Sequence, residues 1–190
     1  FAWVVENLAT PADHAEAEKL GIPVIQLLVR RAAEEWEKEE KLRSEKNAII
    51  GYEEETGYYK EKIKAFIKGL ELERQIMFPP WYKSLEDGVF AELYGLAGLT
   101  PWAYDETEEY KNSSSAKLIG ERLYCLIDGK SVLQPQRIPL GRREQLKRAL
   151  LLATPKERIE KGFHEIYLHN GIRISIFSGE KTKDNEEIMV

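Results

Sequence analysis

Apolar residues recur at helical spacing through the first half of the chain, and beyond residue 115 the period changes to an extended one. Residues 1–5 are apolar and β-prone and read as a strand. Thr10-Pro11-Ala12-Asp13 opens a helix, with Thr as N-cap and Pro at the first helical position, and Gly21 ends it. From Pro23 a long helical pattern follows, with Ile25, Leu28, Val29, Ala32, Ala33 and Trp36 on one stripe. The stripe fades into Glu37-Lys38-Glu39-Glu40-Lys41, a solvated extension supported by pairs such as Glu37–Lys41. A second helix is predicted over 59–76, faced by Tyr59, Ile63, Phe66, Ile67 and Leu70 and weakened locally by Gly57 and Gly69. The two helices are expected to pack as an antiparallel hairpin through 47–51, serving as a helical layer or as a partner-binding coiled coil.

Phe78-Pro79-Pro80-Trp81-Tyr82 interrupts the helical pattern, because prolines cannot continue a helix and push the preceding residue toward extended geometry. The expected division is a helical N-terminal region over 1–78, with 1–29 as the tail of an upstream α/β unit, and an α+β domain over 79–190. Ser84 caps a short helix, with Asp87 three residues on and Leu85, Val89, Phe90 and Leu93 on its face. The stretch 95–102 is a loop too apolar to be fully solvated. After a polar linker at 112–115, residues 121–127 read as a strand, Asp128-Gly129 as a two-residue hairpin turn and 131–133 as the returning strand. A helix begins at Gly141-Arg142, with Leu146, Ala149, Leu150 and Ala153 on one face, and Thr154-Pro155-Lys156-Glu157 starts a further helical turn. Residues 163–168 and 172–177 form a second hairpin around Asn170-Gly171, and 187–190 add a last strand. The fold class is therefore α/β in the broad sense and α+β in the narrow one. Long N-terminal helices precede a small, mostly antiparallel sheet of two hairpins covered by helices.

Composition narrows the class. Of 190 residues, 43% are hydrophobic and 32% charged, with a mean hydropathy of −0.47, which describes a soluble globular chain. An uncharged apolar run such as 22–29 falls far short of the ~20 residues of a transmembrane helix. A net charge of −5 disfavours a generic nucleic-acid binder. The single cysteine, Cys125, excludes an internal disulfide and points to a reducing compartment. The chain opens on Phe1 and stops on Ile188-Met189-Val190, an incomplete strand, and is expected to be a piece of a longer protein.

Most candidate chemistry fails on spacing. Gly129-Lys130-Ser131 lacks the earlier glycine of a phosphate-binding loop and sits in a hairpin turn rather than between a strand and a helix. His164 and His169 are one residue too far apart for a helical zinc pair, and on a strand an odd spacing sends them to opposite faces. No metal site is expected. Cys125 lies in the apolar run Tyr124-Cys125-Leu126-Ile127, which raises a thiol pKa rather than lowering it. Ser113, Ser114 and Ser115 lack a glycine elbow, and no pair of loop carboxylates is singled out for a hydrolase.

The basic segment 137–161 is more informative. It holds eight Lys or Arg against three Glu. Arg142, Arg143, Lys147 and Arg148 form its candidate partner-binding rim, for phosphate, an acidic protein or anionic lipid, and an ordinary solvated amphipathic helix accounts for them equally well. Arg173 follows the Asn170-Gly171 turn by two residues, where a rigid hairpin would hold a guanidinium fit to clamp a phosphate.

The order of elements from Ser84 onward resembles the N-terminal domain of the secretion and pilus-assembly ATPases, the type II, type IV and Tad-pilus traffic ATPases. The resemblance runs through Tyr94-Gly95-Leu96-Ala97-Gly98-Leu99-Thr100-Pro101-Trp102, the hairpin over 121–133, the helix over 145–153, Asn170-Gly171-Ile172-Arg173-Ile174-Ser175 and the strand into Val190. Asn170 stands where that family has Asp, Ser175 where it has Asn, and Lys117-Leu118-Ile119-Gly120 replaces its strand before the first hairpin. The resemblance implies that Arg173 lies near the nucleotide, as a catalytic and cofactor-binding contact. ATP with Mg would be held by a P-loop domain following Val190, and this chain alone would not hydrolyse it. It further implies a hexamer, a membrane platform protein as partner, no nucleic acid, and a cytoplasmic location peripheral to the inner face of the membrane. The reading from a different class is a non-enzymatic α/β interaction module that recruits a partner through its N-terminal helices.

Overall fold

The computed structural model describes residues 9–22, 24, 27–28, 31–32, 45–69, 77–104, 108–154, 163–177 and 188–189. The strand read at 1–5, the charged extension at 37–41 and most of the long helix from Pro23 lie outside them, as does the helical turn beyond Thr154.

Helix α1 (Pro11–Leu20) forms where its caps predict. Thr10 is extended, its hydroxyl accepts from Asp13 N–H at 3.2 Å, Asp13 accepts from Thr10 N–H at 2.8 Å, and Gly21 closes the helix with φ 68°. Arg31 reaches across to both Asp13 and Glu16. After the short helix α2 (Glu45–Ile49), α3 (Glu53–Gly69) begins six residues before the predicted start at Tyr59. Three glutamates in its first turn, Glu53, Glu54 and Glu55, complement the positive end of the helix dipole, and Gly57 is tolerated inside. Gly51, in the turn between α2 and α3, has φ 89°, and a Cβ there would lie 2.6 Å from the Tyr104 hydroxyl. Only glycine fits that turn against Tyr104.

Ser84 caps α4 (Leu85–Leu93), accepting from Asp87 N–H at 3.1 Å. The apolar stretch that follows is buried, as predicted, but it is not a plain loop. It folds as a 3-10 turn (Ala97–Leu99) running into α5 (Thr100–Tyr104). Tyr59, Ile63 and Ile67 of α3 share one apolar cluster with Val89, Phe90 and Tyr94, on the far side of the Pro79-Pro80 break, and with Leu28, Ala32 and Ala48. The rings of Tyr59 and Tyr94 stack within it at 4.0 Å.

The second half of the chain builds one six-stranded sheet. Its strands are β1 (Ala116–Ile119), β2 (Arg122–Ile127), β3 (Lys130–Arg137), β4 (Phe163–Tyr167), β5 (Arg173–Phe177) and β6 (Ile188–Met189), in the order β3-β2-β1-β6-β5-β4. Every pairing is antiparallel. The two hairpins are thus joined by β6, the last strand among the described residues, which lies between β1 and β5. The sequence reading places no strand at 117–120, whereas β1 forms there and pairs Leu118 with Leu123. It also ends the returning strand at 133, whereas β3 runs on to Arg137 through a register shift against Arg122 and Tyr124. Pro135 falls in that irregular stretch, where an outer strand loses no ladder bond to a missing N–H.

Period-2 burial gives the sheet an inner face of Ala116, Leu118, Leu123, Cys125, Ile166, Ile174 and Ile176. Helix α6 (Leu140–Ala153) covers it with Leu146, Leu150 and Leu151, and Leu96, Ala97, Leu99 and Ala103 complete the same core. The fold is the expected α+β arrangement, with helices packed on an antiparallel sheet.

Candidate functional site

The β4–β5 hairpin is closed by the three residues His169, Asn170 and Gly171. Gly171 N–H donates to Leu168 O at 3.0 Å, Leu168 N–H donates to Ile172 O at 2.8 Å, and Gly171 takes φ 90°. This is a turn followed by a left-handed glycine, one of the common hairpin closures. Asn170 Oδ1 accepts from Ile172 N–H at 3.2 Å, bracing the loop from within.

The loop is also docked. Asn170 Nδ2 donates to Ala103 O of α5 at 3.0 Å, and His169 N–H donates to Ile50 O at 2.7 Å. The His169 ring stacks on Tyr52, with centroids 4.4 Å apart. Arg173 is the first residue of β5, opposite Tyr167, on a hairpin held at its tip by α5 and by the link between α2 and α3. Its side chain is 62% exposed, and Nη1 lies 3.4 Å from Glu165 Oε1. An exposed pair of this kind is worth at most about 1 kcal/mol, so an anion with better geometry can displace the carboxylate.

Beside Arg173 lies a cleft of about 400 Å³, lined by Trp102, Ser114, Ser115, Gly171, Ile172 and Ser175 among others. Trp102 Nε1–H donates to Ser113 Oγ at 3.0 Å, and Ser113 Oγ–H donates to Ser115 O at 3.3 Å, which fixes the indole against the polar linker. The residues present suit one contact to a phosphate and do not suit a nucleotide cradle. Gly129-Lys130-Ser131 is a tight turn, with Asp128 at φ 49° and Gly129 at φ 74°, and no helix follows it to offer N–H groups to a phosphate. Among the described residues no group of three or more His, Cys, Asp or Glu could hold a metal ion.

The basic helix differs from expectation. Arg142, Arg143, Lys147 and Arg148 do not share one open face. Arg142 donates to the Glu92 carbonyl, its Nε lies 3.9 Å from Glu92 Oε2, and Tyr82 O–H donates to Glu92 Oε1 at 2.8 Å. Burial pushes the Arg142 guanidinium below its usual pKa, against the opposing pull of Glu92 and Tyr82, and burial with the Glu92 charge raises that of Tyr82. Arg143 is buried and donates to Gly120 O at 2.9 Å, tying α6 to the β1–β2 turn. Lys147 is largely covered and lies 3.9 Å from Glu144, leaving Arg148 as the exposed member of the four. The carbonyls of Glu92 and Gly120 draw the first two arginines inward. Lys156, Arg158 and Lys161 lie outside the described residues.

Cys125 is fully buried, and burial, with Glu109 adding, pushes its thiol up to about 11, so it is no nucleophile. His164 is buried on β4, and His169 lies beyond the strand, exposed. Sequence reasoning missed the anchoring of Asn170 on Ala103 and the Tyr82–Glu92–Arg142 network. The one signal for the network was a carboxylate beside the apolar face of α4.

Among the described residues no helix is long and apolar enough to cross a membrane. Comparison with protein-family models and with curated proteins returned no match.

Proposed function

We propose that this chain is the N-terminal, regulatory domain of a hexameric secretion or pilus-assembly ATPase. It would close over ATP held by a P-loop domain beyond Val190, pass that closure to a membrane platform protein, and work in the cytoplasm at the inner face of the membrane. The observation that carries the reading is Arg173, an exposed guanidinium on a hairpin docked at its tip and paired only weakly with Glu165. When bound, ATP with Mg supplies the phosphoanhydride and its counter-charge. The part of this chain is electrostatic, with Arg173 bringing a fixed positive charge to the phosphate oxygens. Glu165 holds the guanidinium until the phosphate replaces it.

The coding sequence past Val190 tests this cheaply. A Gly-x4-Gly-Lys-Ser/Thr between a strand and a helix is the expected finding, and a stop codon directly after Val190 overturns the proposal. The second reading, a partner-binding module, is favoured by one observation. Lys60 of α3, one of the N-terminal helices, lines an open pocket of about 160 Å³ together with Trp81, Asp87, Phe90 and Tyr104 from beyond the Pro79-Pro80 break. That reading gains if the stop codon is found.

A further inference from the structure

The two walls of the Arg173 cleft come from distant parts of the chain. Helix α5 supplies Trp102, while the loop and the start of β5 supply Gly171, Ile172 and Arg173. Ala103, next to Trp102, is the residue whose carbonyl Asn170 Nδ2 reaches at 3.0 Å. The same side chain uses its oxygen to accept from Ile172 N–H at 3.2 Å. One amide therefore holds the loop's own shape and ties the loop to the opposite wall. A second polar tie, from His169 to Ile50 and Tyr52, runs to the α2–α3 link and not to α5, while Leu168 and Ile172 share the apolar core of Trp102 and Ala103. Among the described residues β4 is an outer strand of the sheet, so the hairpin has no further strand to brace it on that side.

We infer that Asn170 is a positioning residue: its amide sets the separation of the α5 wall from the Arg173 hairpin, and with it the place where the guanidinium meets a phosphate. Asn170 has this role only if Arg173 contacts phosphate as proposed above. A long side chain on a hairpin magnifies any tilt at the tip, and a misplacement of about 1 Å can cost about a hundredfold in rate. Aspartate separates the two duties of the residue. It keeps an oxygen for Ile172 N–H, has no donor for Ala103, and sets a carboxylate against a carbonyl.

The test uses the longer protein that carries the P-loop domain, with Asn170→Asp, Arg173→Ala and the double variant compared for ATP turnover. Asn170→Asp is expected to lower kcat about tenfold or more, with KM for ATP held within about twofold. In the Arg173→Ala background it is expected to add nothing, and hydrogen exchange at 168–172 is expected to quicken. If Arg173→Ala lowers turnover while Asn170→Asp leaves kcat unchanged, the positioning role is overturned and the proposed function stands. An equal loss in both backgrounds also overturns it, because Asn170 then acts on something other than Arg173. If Arg173→Ala has no effect, the proposed function fails and the role of Asn170 falls with it. Should Asn170→Asp fail to fold, Asn170→Ser gives the same comparison, being too short to reach Ala103 while keeping an oxygen for the turn.

Discussion

Arg142 of α6 and Glu92 of α4 meet across 50 positions of sequence, with the guanidinium donating to the Glu92 carbonyl and facing its carboxylate, which also accepts from Tyr82. The contact joins the helix covering the sheet to the helix that packs with α3. Both side chains are largely buried, so removing either leaves the other charge in poor solvent. Arg142→Met is expected to cost about 2–4 kcal/mol of unfolding free energy, and clearly less in a Glu92→Gln background, where no carboxylate is stranded. Urea unfolding of the four-variant cycle measures this, and equal costs in both backgrounds would show the pair to be uncoupled.

Arg143 and Arg148 lie on one basic helix but have different surroundings. Arg143→Ala removes a buried stem and the hydrogen bond to Gly120 O, and is expected to destabilise by about 1–3 kcal/mol. Arg148→Ala, at an exposed position, is expected to stay within about 0.5 kcal/mol. Thermal melts of the two variants check this, and a neutral Arg143→Ala would contradict the buried placement.

Asp13 is expected to make the stability of the chain sensitive to acid. Burial works to raise its pKa, but hydrogen bonds from Thr10 and the Arg31 guanidinium outweigh that and hold the carboxyl below its usual value of 3.8. With the folded value depressed, the contribution of Asp13 is complete above that ordinary value, which the unfolded chain keeps, and is lost as pH falls through the folded one. The stability gap between the unmodified chain and Asp13→Asn is therefore expected to be constant at neutral pH and to narrow below about pH 4. A gap that does not change from about pH 6 to about pH 2 would rule this out.

Local signals were legible in the sequence where a short-range rule decides the geometry. Thr10 with Asp13, Ser84 with Asp87 and the left-handed pair Asp128-Gly129 all formed as read, because each depends on neighbours in the chain. The place of β6 between β1 and β5 was not legible, since nothing near residues 188–189 encodes which strands it joins. Strand β1 was missed because a four-residue run alternating Ala116, Lys117, Leu118 and Ile119 is too short for its period to stand out. At the site, the turn before Arg173 could be read, but its docking on Ala103 and Ile50 is a tertiary fact. The inward turn of Arg143 did have a signal. It lies three and seven residues before the buried Leu146 and Leu150, on the apolar stripe of α6, while the basic count drew attention to charge alone.

The most direct test of the proposed function is ATP turnover by the proposed longer protein with its P-loop domain, measured for the unmodified chain, Arg173→Ala and Arg173→Lys. Arg173 is exposed and its pair with Glu165 is weak, so the alanine variant is expected to fold and to melt nearly unchanged. Its turnover is expected to fall by about a thousandfold, as for other charge-supplying arginines. Lysine is expected to restore only part of the loss, lacking the planar fork. A folded Arg173→Ala protein that hydrolyses ATP at the unmodified rate would contradict the account.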